Sequence, residues 1–261
     1  MRIISLSVDG LHQASQRGLY DWLAKQDADV ICLQDLRCLE YETDDATFHP
    51  EGYNAYFFDS GTKHYNGVAI YSRAVPKALI YGLGFSSGVD MEGRYLQIDF
   101  DGLSIGSLLA PSAFSDIESH EVKAQFFDDL QAHLTKISRK RRDFIFCGNW
   151  ATAPKAEDVS NPEEQQNQSG FLAEEKQWMA QLSQVGYVDA FRQGNTDKDE
   201  YSWWPSGEQG KGDAWRTDLQ IVSSSLKNHV EYAVIYKSQQ FSSHLAVIVD
   251  YDIELEPEPD Y

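Results

Sequence analysis

A two-sheet α/β fold with helices on the outer faces is what this sequence predicts, from three observations. The chain opens as a β-α-β unit; its middle third holds five short strand-like runs with few helical segments among them; and its last third adds three more strands. Mixed strands with a few interspersed helices favour two sheets packed face to face with helices outside.

Each element has its own local signal. Ile3 to Val8 is rich in β-formers and stops at the turn pair Asp9-Gly10. Leu11, Ala14, Gly18, Leu19, Trp22 and Leu23 then recur at helical spacing. "DVICLQD" is the second strand, and a polar, acidic loop around Glu40 to His49 follows. The runs "YNAYFF", "GVAIYS", "ALIYG", "RYLQIDF" and "LSIGSLL" read as antiparallel strands. Val122, Phe126, Leu130, Leu134 and Ile137 mark an amphipathic helix, closed by "SRKRR" and followed by the strand "DFIFCG". A polar loop from Thr152 to Gly170 precedes a helix with Trp178, Met179, Leu182 and Val185. "TDLQIVS", "VEYAVIY" and "HLAVIVDY" complete the strands. With no repeat and no Gly/Ser-rich linker, one domain over 1–252 and an acidic tail over 253–261 are expected.

The formal net charge of −19 over 261 residues opposes non-specific attraction to nucleic acid or an anionic membrane, so such contact needs a local basic patch. Three cysteines, Cys32, Cys38 and Cys147, are too few and too irregularly spaced for a disulfide framework or a C-x-x-C metal site. No run approaches the ~20 apolar residues of a membrane span. "MRIISLSVDG" is too short in its apolar part for a signal sequence, so the cytoplasm is the expected location.

Candidate functional residues sit where strands stop: Ser7, Asp35, Asn149, Ala151, Asp218, Ser243 and His244. Metal-dependent phosphodiester cleavage requires hard oxygen ligands, a base or oriented water, and a group to stabilise developing charge. Asp35 suits a cation and equally suits an acidic cap after a strand. Asp218 can orient a histidine or simply pair with Arg216, and His244 can be a catalyst or a structural hydrogen-bonding residue.

In order along the chain, "LSVDGL", "VICLQDLR", "FCGNWA", "WRTDLQ" and "FSSHLAVI" resemble the motif series of the endonuclease/exonuclease/phosphatase superfamily, nearest its exonuclease III branch. That resemblance implies a four-layer αββα sandwich with the site at the sheet ends. Its motifs are Asn-x-Asn-Gly-Leu, Leu-Gln-Glu, Gly-Asp-x-Asn, Arg-x-Asp and Ser-Asp-His. Asp218 and His244 match; Ser7, Asp35, Asn149, Ala151 and Ser243 depart. An amide cannot titrate, and loss of a general base costs roughly 10² to 10⁴ in rate. The replacements therefore predict a degenerate site, no catalytic residues, no enzyme activity, and no cofactor beyond a weak Mg²⁺ at Asp35.

A narrower set, including "ADVICLQD", "PKALIYGLGF", "GRYLQIDFD", "SWWP" and "IVDYD", is similar to the catabolite repression control (Crc) family of pseudomonads. This implies a regulator that joins the RNA chaperone Hfq on A-rich sites of target mRNAs to repress translation, with self-contacts between copies in the assembly. The alternative is a residual metal-dependent phosphodiesterase or apurinic-site endonuclease using Asp35, Asn149, Asp218 and His244.

Lys136, Arg139, Lys140, Arg141 and Arg142 place five of 22 basic residues within seven positions, with no acid among them. Arg139, Lys140, Arg141 and Arg142, with Lys77 on the same surface, are the expected RNA or partner contacts. Cations at a helix C-terminus also gain ~0.3 to 1 kcal/mol each from the macrodipole.

Overall fold

Strand β1 (Arg2–Ser7) is buried from Ile3 onward and pairs in parallel with β2 (Val30–Gln34). The computed structural model describes residues 1–85, 91–114 and 119–255. The helical run between these strands is two short helices, α1 (Leu11–Gln16) and α2 (Leu19–Leu23), because Gly18 adopts a left-handed conformation (φ 86°) that interrupts the first. Antiparallel strands β3 (Asn54–Phe58), β4 (Val68–Ser72), β11 (Val230–Ile235) and β12 (Val247–Tyr251) complete the first sheet, in the order β11-β12-β1-β2-β4-β3.

The second sheet holds β5 (Ala78–Tyr81), β6 (Tyr95–Asp99), β7 (Leu103–Leu109), β8 (Asp143–Asn149), β9 (Tyr187–Asp189) and β10 (Asp218–Ser223). Its order is β5-β6-β7-β8-β10-β9. Helix α3 (His120–Ile137) links the parallel neighbours β7 and β8; the Ser119 hydroxyl caps it by accepting from Val122 N. Helix α4 (Ala173–Gln184) begins where the Glu175 carboxylate accepts from Leu172 N and Gly170 N. A one-turn helix, α5 (Phe191–Gly194), follows β9.

Three buried clusters define the layers. Ile3, Val30, Cys32, Val68 and Ile70 of the first sheet meet Leu96, Ile98, Ile105, Ile145 and Cys147 of the second. Leu11, Leu19, Trp22 and Leu23 cover the outer face of the first sheet, against Ile4, Ile31 and Tyr71. Phe126, Phe127, Leu130 and Leu134 cover the second, against Tyr95, Leu108, Phe144 and Phe146. The result is the expected αββα sandwich; burying each such side chain contributes roughly 1.5–3 kcal/mol. All three cysteines are free and buried.

The two sheets are also tied by polar contacts. Gln34 Nε2 donates to Ser107 Oγ at 2.8 Å, and that hydroxyl donates to Leu33 O at 3.0 Å. Tyr251 Oη donates to Gln220 Oε1 at 2.8 Å, and Gln220 Nε2 to Ile3 O at 3.3 Å. Among the described residues, no helix is long and apolar enough to cross a membrane. Ile253 and Leu255, at the start of the acidic tail, pack against the inter-sheet core; 256–261 lie outside the described residues.

Candidate active site

Strand ends from both sheets converge on a cleft of about 640 Å³ whose lining includes Asp9, Asp35, Arg37, Asn149, Ala151, Trp203, Thr217, Ser243 and His244. The first sheet delivers Asp9 and Asp35 just past β1 and β2. The second delivers Asn149 at the end of β8, paired across the ladder with Asp218 at the start of β10. His244 lies in the loop before β12, three residues ahead of the strand it was expected to begin.

His244 and Asp218 form a buried pair, with imidazole Nδ1 2.8 Å from Asp218 Oδ2. The same oxygen accepts from Ser202 Oγ at 2.6 Å. Burial disfavours the charged imidazole, but Asp218, with Asp9 and Asp35 beyond it, outweighs that and raises the histidine pKa above its ordinary value. Trp203 stacks on the imidazole at 5.8 Å between ring centroids. Its neighbour Trp204 is buried in the inter-sheet core. Asp218 does not pair with Arg216, whose guanidinium instead holds Asp158 at 2.8 Å and Asp189 at 2.7 Å.

Asp9 was absent from the expected site and is central to it. Its Oδ2 accepts from Ser243 N at 2.7 Å, so a carboxylate reaches the histidine loop even though residue 243 is a serine. Burial pushes its pKa up, but the charge of His244 and the hydrogen bonds at Ser243 prevail, leaving it below the usual carboxylate range. Asp35 shows the opposite balance: burial raises its pKa above the ordinary value despite Arg37. Arg37 Nε and Nη2 reach the two Asp35 oxygens at 3.0 and 2.6 Å, and Nη2 approaches Asp9 Oδ1 at 3.4 Å. The second asparagine position of the Asn-x-Asn-Gly-Leu pattern was the available signal for Asp9; Arg37 carried none.

Asn149 Oδ1 accepts from Ala151 N at 2.9 Å, closing a tight turn in which Ala151 adopts φ +50°. Lys123 Nζ holds the Ala151 carbonyl at 2.7 Å and Glu175 Oε1 at 2.5 Å, anchoring this turn to α3 and α4. Ser7 is fully buried, and its carbonyl accepts from Ser242 Oγ at 2.5 Å. Ser7 therefore supports the histidine loop through its backbone.

The basic run lies away from this cleft, at the opposite ends of the strands. Arg139, Lys140 and Arg141 are exposed beyond α3. Arg142 is engaged structurally, donating from Nη1 to Leu103 O and Ser104 Oγ at 3.0 Å each. Lys77 pairs with Asp101, and its backbone N donates to Asp99 O, close to the carboxylate that Arg142 approaches at 3.5 Å.

A paired His-Asp and two further carboxylates are thus gathered in one cleft at the sheet ends. The chain belongs to the endonuclease/exonuclease/phosphatase family, whose model matches residues 8–238. It is 30% identical over 251 residues to an exodeoxyribonuclease of Bacillus subtilis (strain 168), covering 95% of this chain and 98% of that protein. A DNA-(apurinic or apyrimidinic site) endonuclease of Dictyostelium discoideum is 27% identical, over 96% of this chain and 71% of that one. An AP endonuclease structure from Archaeoglobus fulgidus shares the fold, with a TM-score of 0.86 at 24% identity over 97% of this chain and all of that one. The expectation that the chain is not an enzyme is overturned by these relatives, which match over most of their length and are named as nucleases. Asp9, at the second asparagine position of the first motif, brings a carboxylate back to the histidine loop and offsets the replacement at Ser243.

Proposed function

We propose that this chain is a phosphodiesterase of the exonuclease and apurinic-site endonuclease kind, acting on nucleic acid through the cleft at the sheet ends. The buried Asp218–His244 pair, set in the same cleft as Asp9 and Asp35, carries the reading. Asp218 fixes the imidazole by its Nδ1 and favours its protonated form, leaving Nε2 as the atom that donates a proton or hydrogen bond to a phosphate oxygen. Asn149 orients a water through a neutral amide and cannot take its proton, so the expected turnover is slow. Trp203 stacks on the imidazole and shields the pair from solvent on that side.

The donor set suits a divalent cation in part. Mg²⁺ is commonly held by one or two carboxylates with waters completing its shell, and Asp9 and Asp35 supply two. No group of three or more His, Cys, Asp or Glu is placed for a metal among the described residues. When bound, such an ion neutralises phosphate charge.

The test is incubation of the pure protein with abasic-site duplex DNA and Mg²⁺ or Mn²⁺. Strand cleavage that disappears in His244→Ala is expected. Cleavage no faster than the protein-free control, or unchanged in His244→Ala, would overturn the reading.

A second reading is supported by the exposed cations Arg139, Lys140 and Arg141 on a chain of net charge −19. It is translational regulation of the Crc kind, in which the chain joins Hfq on A-rich mRNA. Charge reversal at Lys140 and Arg141, which avoids the structurally engaged Arg142, should abolish a ternary complex with Hfq and A-rich RNA. A complex of unchanged affinity would count against it.

A further inference from the structure

We propose that Arg37 is the resident counter-cation of the Asp9–Asp35 pair, and that a divalent cation binds there only by displacing its guanidinium. The two carboxylates emerge from adjacent parallel strands whose last paired residues are Ser7 and Gln34. Every oxygen of the pair has a partner. Asp9 Oδ2 is taken by Ser243 N, Asp9 Oδ1 faces Arg37 Nη2 at 3.4 Å, and both Asp35 oxygens accept from Arg37 at 3.0 and 2.6 Å. A planar fork matched to a carboxylate is the geometry in which arginine binds most specifically. An inner-sphere Mg²⁺ requires oxygen contacts near 2.0–2.1 Å, so it and the guanidinium would place two like charges on the same oxygens, and their repulsion makes them compete for the site.

The pairing is built into the chain's path. Asp9, Asp35 and Arg37 all have left-handed backbones, with φ of 51°, 58° and 53°. The backbone of Arg37 is anchored independently: its N–H donates to Asn66 O at 2.7 Å, and its carbonyl accepts from His64 N at 3.2 Å. The side chain is 44% exposed, so the guanidinium can leave for solvent while the turn stays in place. The same cleft presents Thr217, a residue only 3% exposed whose Oγ1 has no hydrogen-bond partner among the described residues. A buried hydroxyl left unsatisfied at such a wall points to a ligand or ion-bound water that completes it. The arrangement makes cation occupancy conditional: the free protein neutralises its own carboxylates, and a metal must outcompete an internal ligand of fixed, high local concentration.

This rests on the reading that Asp9 and Asp35 are the cation ligands, and its test measures binding rather than cleavage. Mn²⁺ is titrated into the full chain and free ion is followed by its electron paramagnetic resonance signal. Arg37→Gln is expected to bind one Mn²⁺ at least ten-fold tighter than the parent, and adding Asp35→Asn to that variant to erase the gain. Binding no tighter in Arg37→Gln, or a gain that survives Asp35→Asn, overturns the proposal. On the unaltered chain, saturating Mg²⁺ should move the Arg37 Nε–H NMR signal to that of a solvent-exposed arginine; a signal that stays in place while the ion binds also overturns it. A chain that behaves as expected here yet cleaves no DNA would remove the proposed nuclease function and leave the displacement intact.

Discussion

Asn149 and Asp218 face each other as the terminal pair of β8 and β10, so an amide and a carboxylate close the same rung at the mouth of the cleft. The carboxylate is committed to His244, and the amide oxygen to Ala151 N. The rung therefore holds its geometry whether or not residue 149 can titrate.

Asn149→Asp is accordingly expected to keep the turn, since a carboxylate oxygen also accepts from Ala151 N. It should raise kcat on abasic duplex DNA by roughly 10², the lower end of what a positioned general base contributes. Steady-state kinetics at fixed Mg²⁺ check it, and an unchanged kcat would show that the proton is taken elsewhere.

Ala151 occupies a left-handed backbone at φ +50° that costs an alanine roughly 1–2 kcal/mol and that asparagine tolerates better. Ala151→Asn is expected to stabilise the protein by about 1 kcal/mol in denaturant unfolding. A destabilised variant would show that the alanine is kept for room rather than for lack of selection on the turn.

Asp218→Asn should lower the His244 pKa, because the largest factor opposing its burial is removed. Titration of the imidazole by NMR reads this directly. In the parent, the folded-state pKa lies above the ordinary 6.5, so this pair's contribution to stability is complete below that value and fades as pH rises through the folded pKa. Asp218→Asn should flatten that part of the stability profile.

Asp158 gives the acid limb. Burial opposes its ionisation, but Arg216 and Arg192 prevail and hold its pKa below the ordinary 3.8. Its contribution is present above that value and is lost as pH falls through the folded pKa. Asp158→Asn leaves Arg216 buried with Asp189 as its remaining carboxylate and should cost about 1–3 kcal/mol at neutral pH by urea unfolding.

The layered fold was legible because its strands carry dense β-branched and aromatic runs and its outer helices keep a clear apolar stripe, as Phe126, Leu130 and Leu134 do. The break at Gly18 was not, since its spacing suits one helix and only the left-handed backbone divides it. Short β9 was hidden for lack of length; its edge position comes from pairing with β10. Asp218 and His244 were identified singly, but their contact spans 26 positions of chain and exists only through the fold. Asp9 and Arg37 meet across 28 positions, and a salt bridge between strand ends leaves no periodic trace. The role of Arg142 depended on which strand start the end of α3 reaches, a tertiary fact.

The polar tie from Gln34 to Ser107 crosses the interior next to Asp35 at the cleft, and that from Tyr251 to Gln220 crosses it further back. Half of the site belongs to each sheet, so the site straddles a seam whose width is set by side chains that never meet a substrate. The spacing of the cleft's two walls is therefore fixed from within the core, by how far apart the two sheets stand.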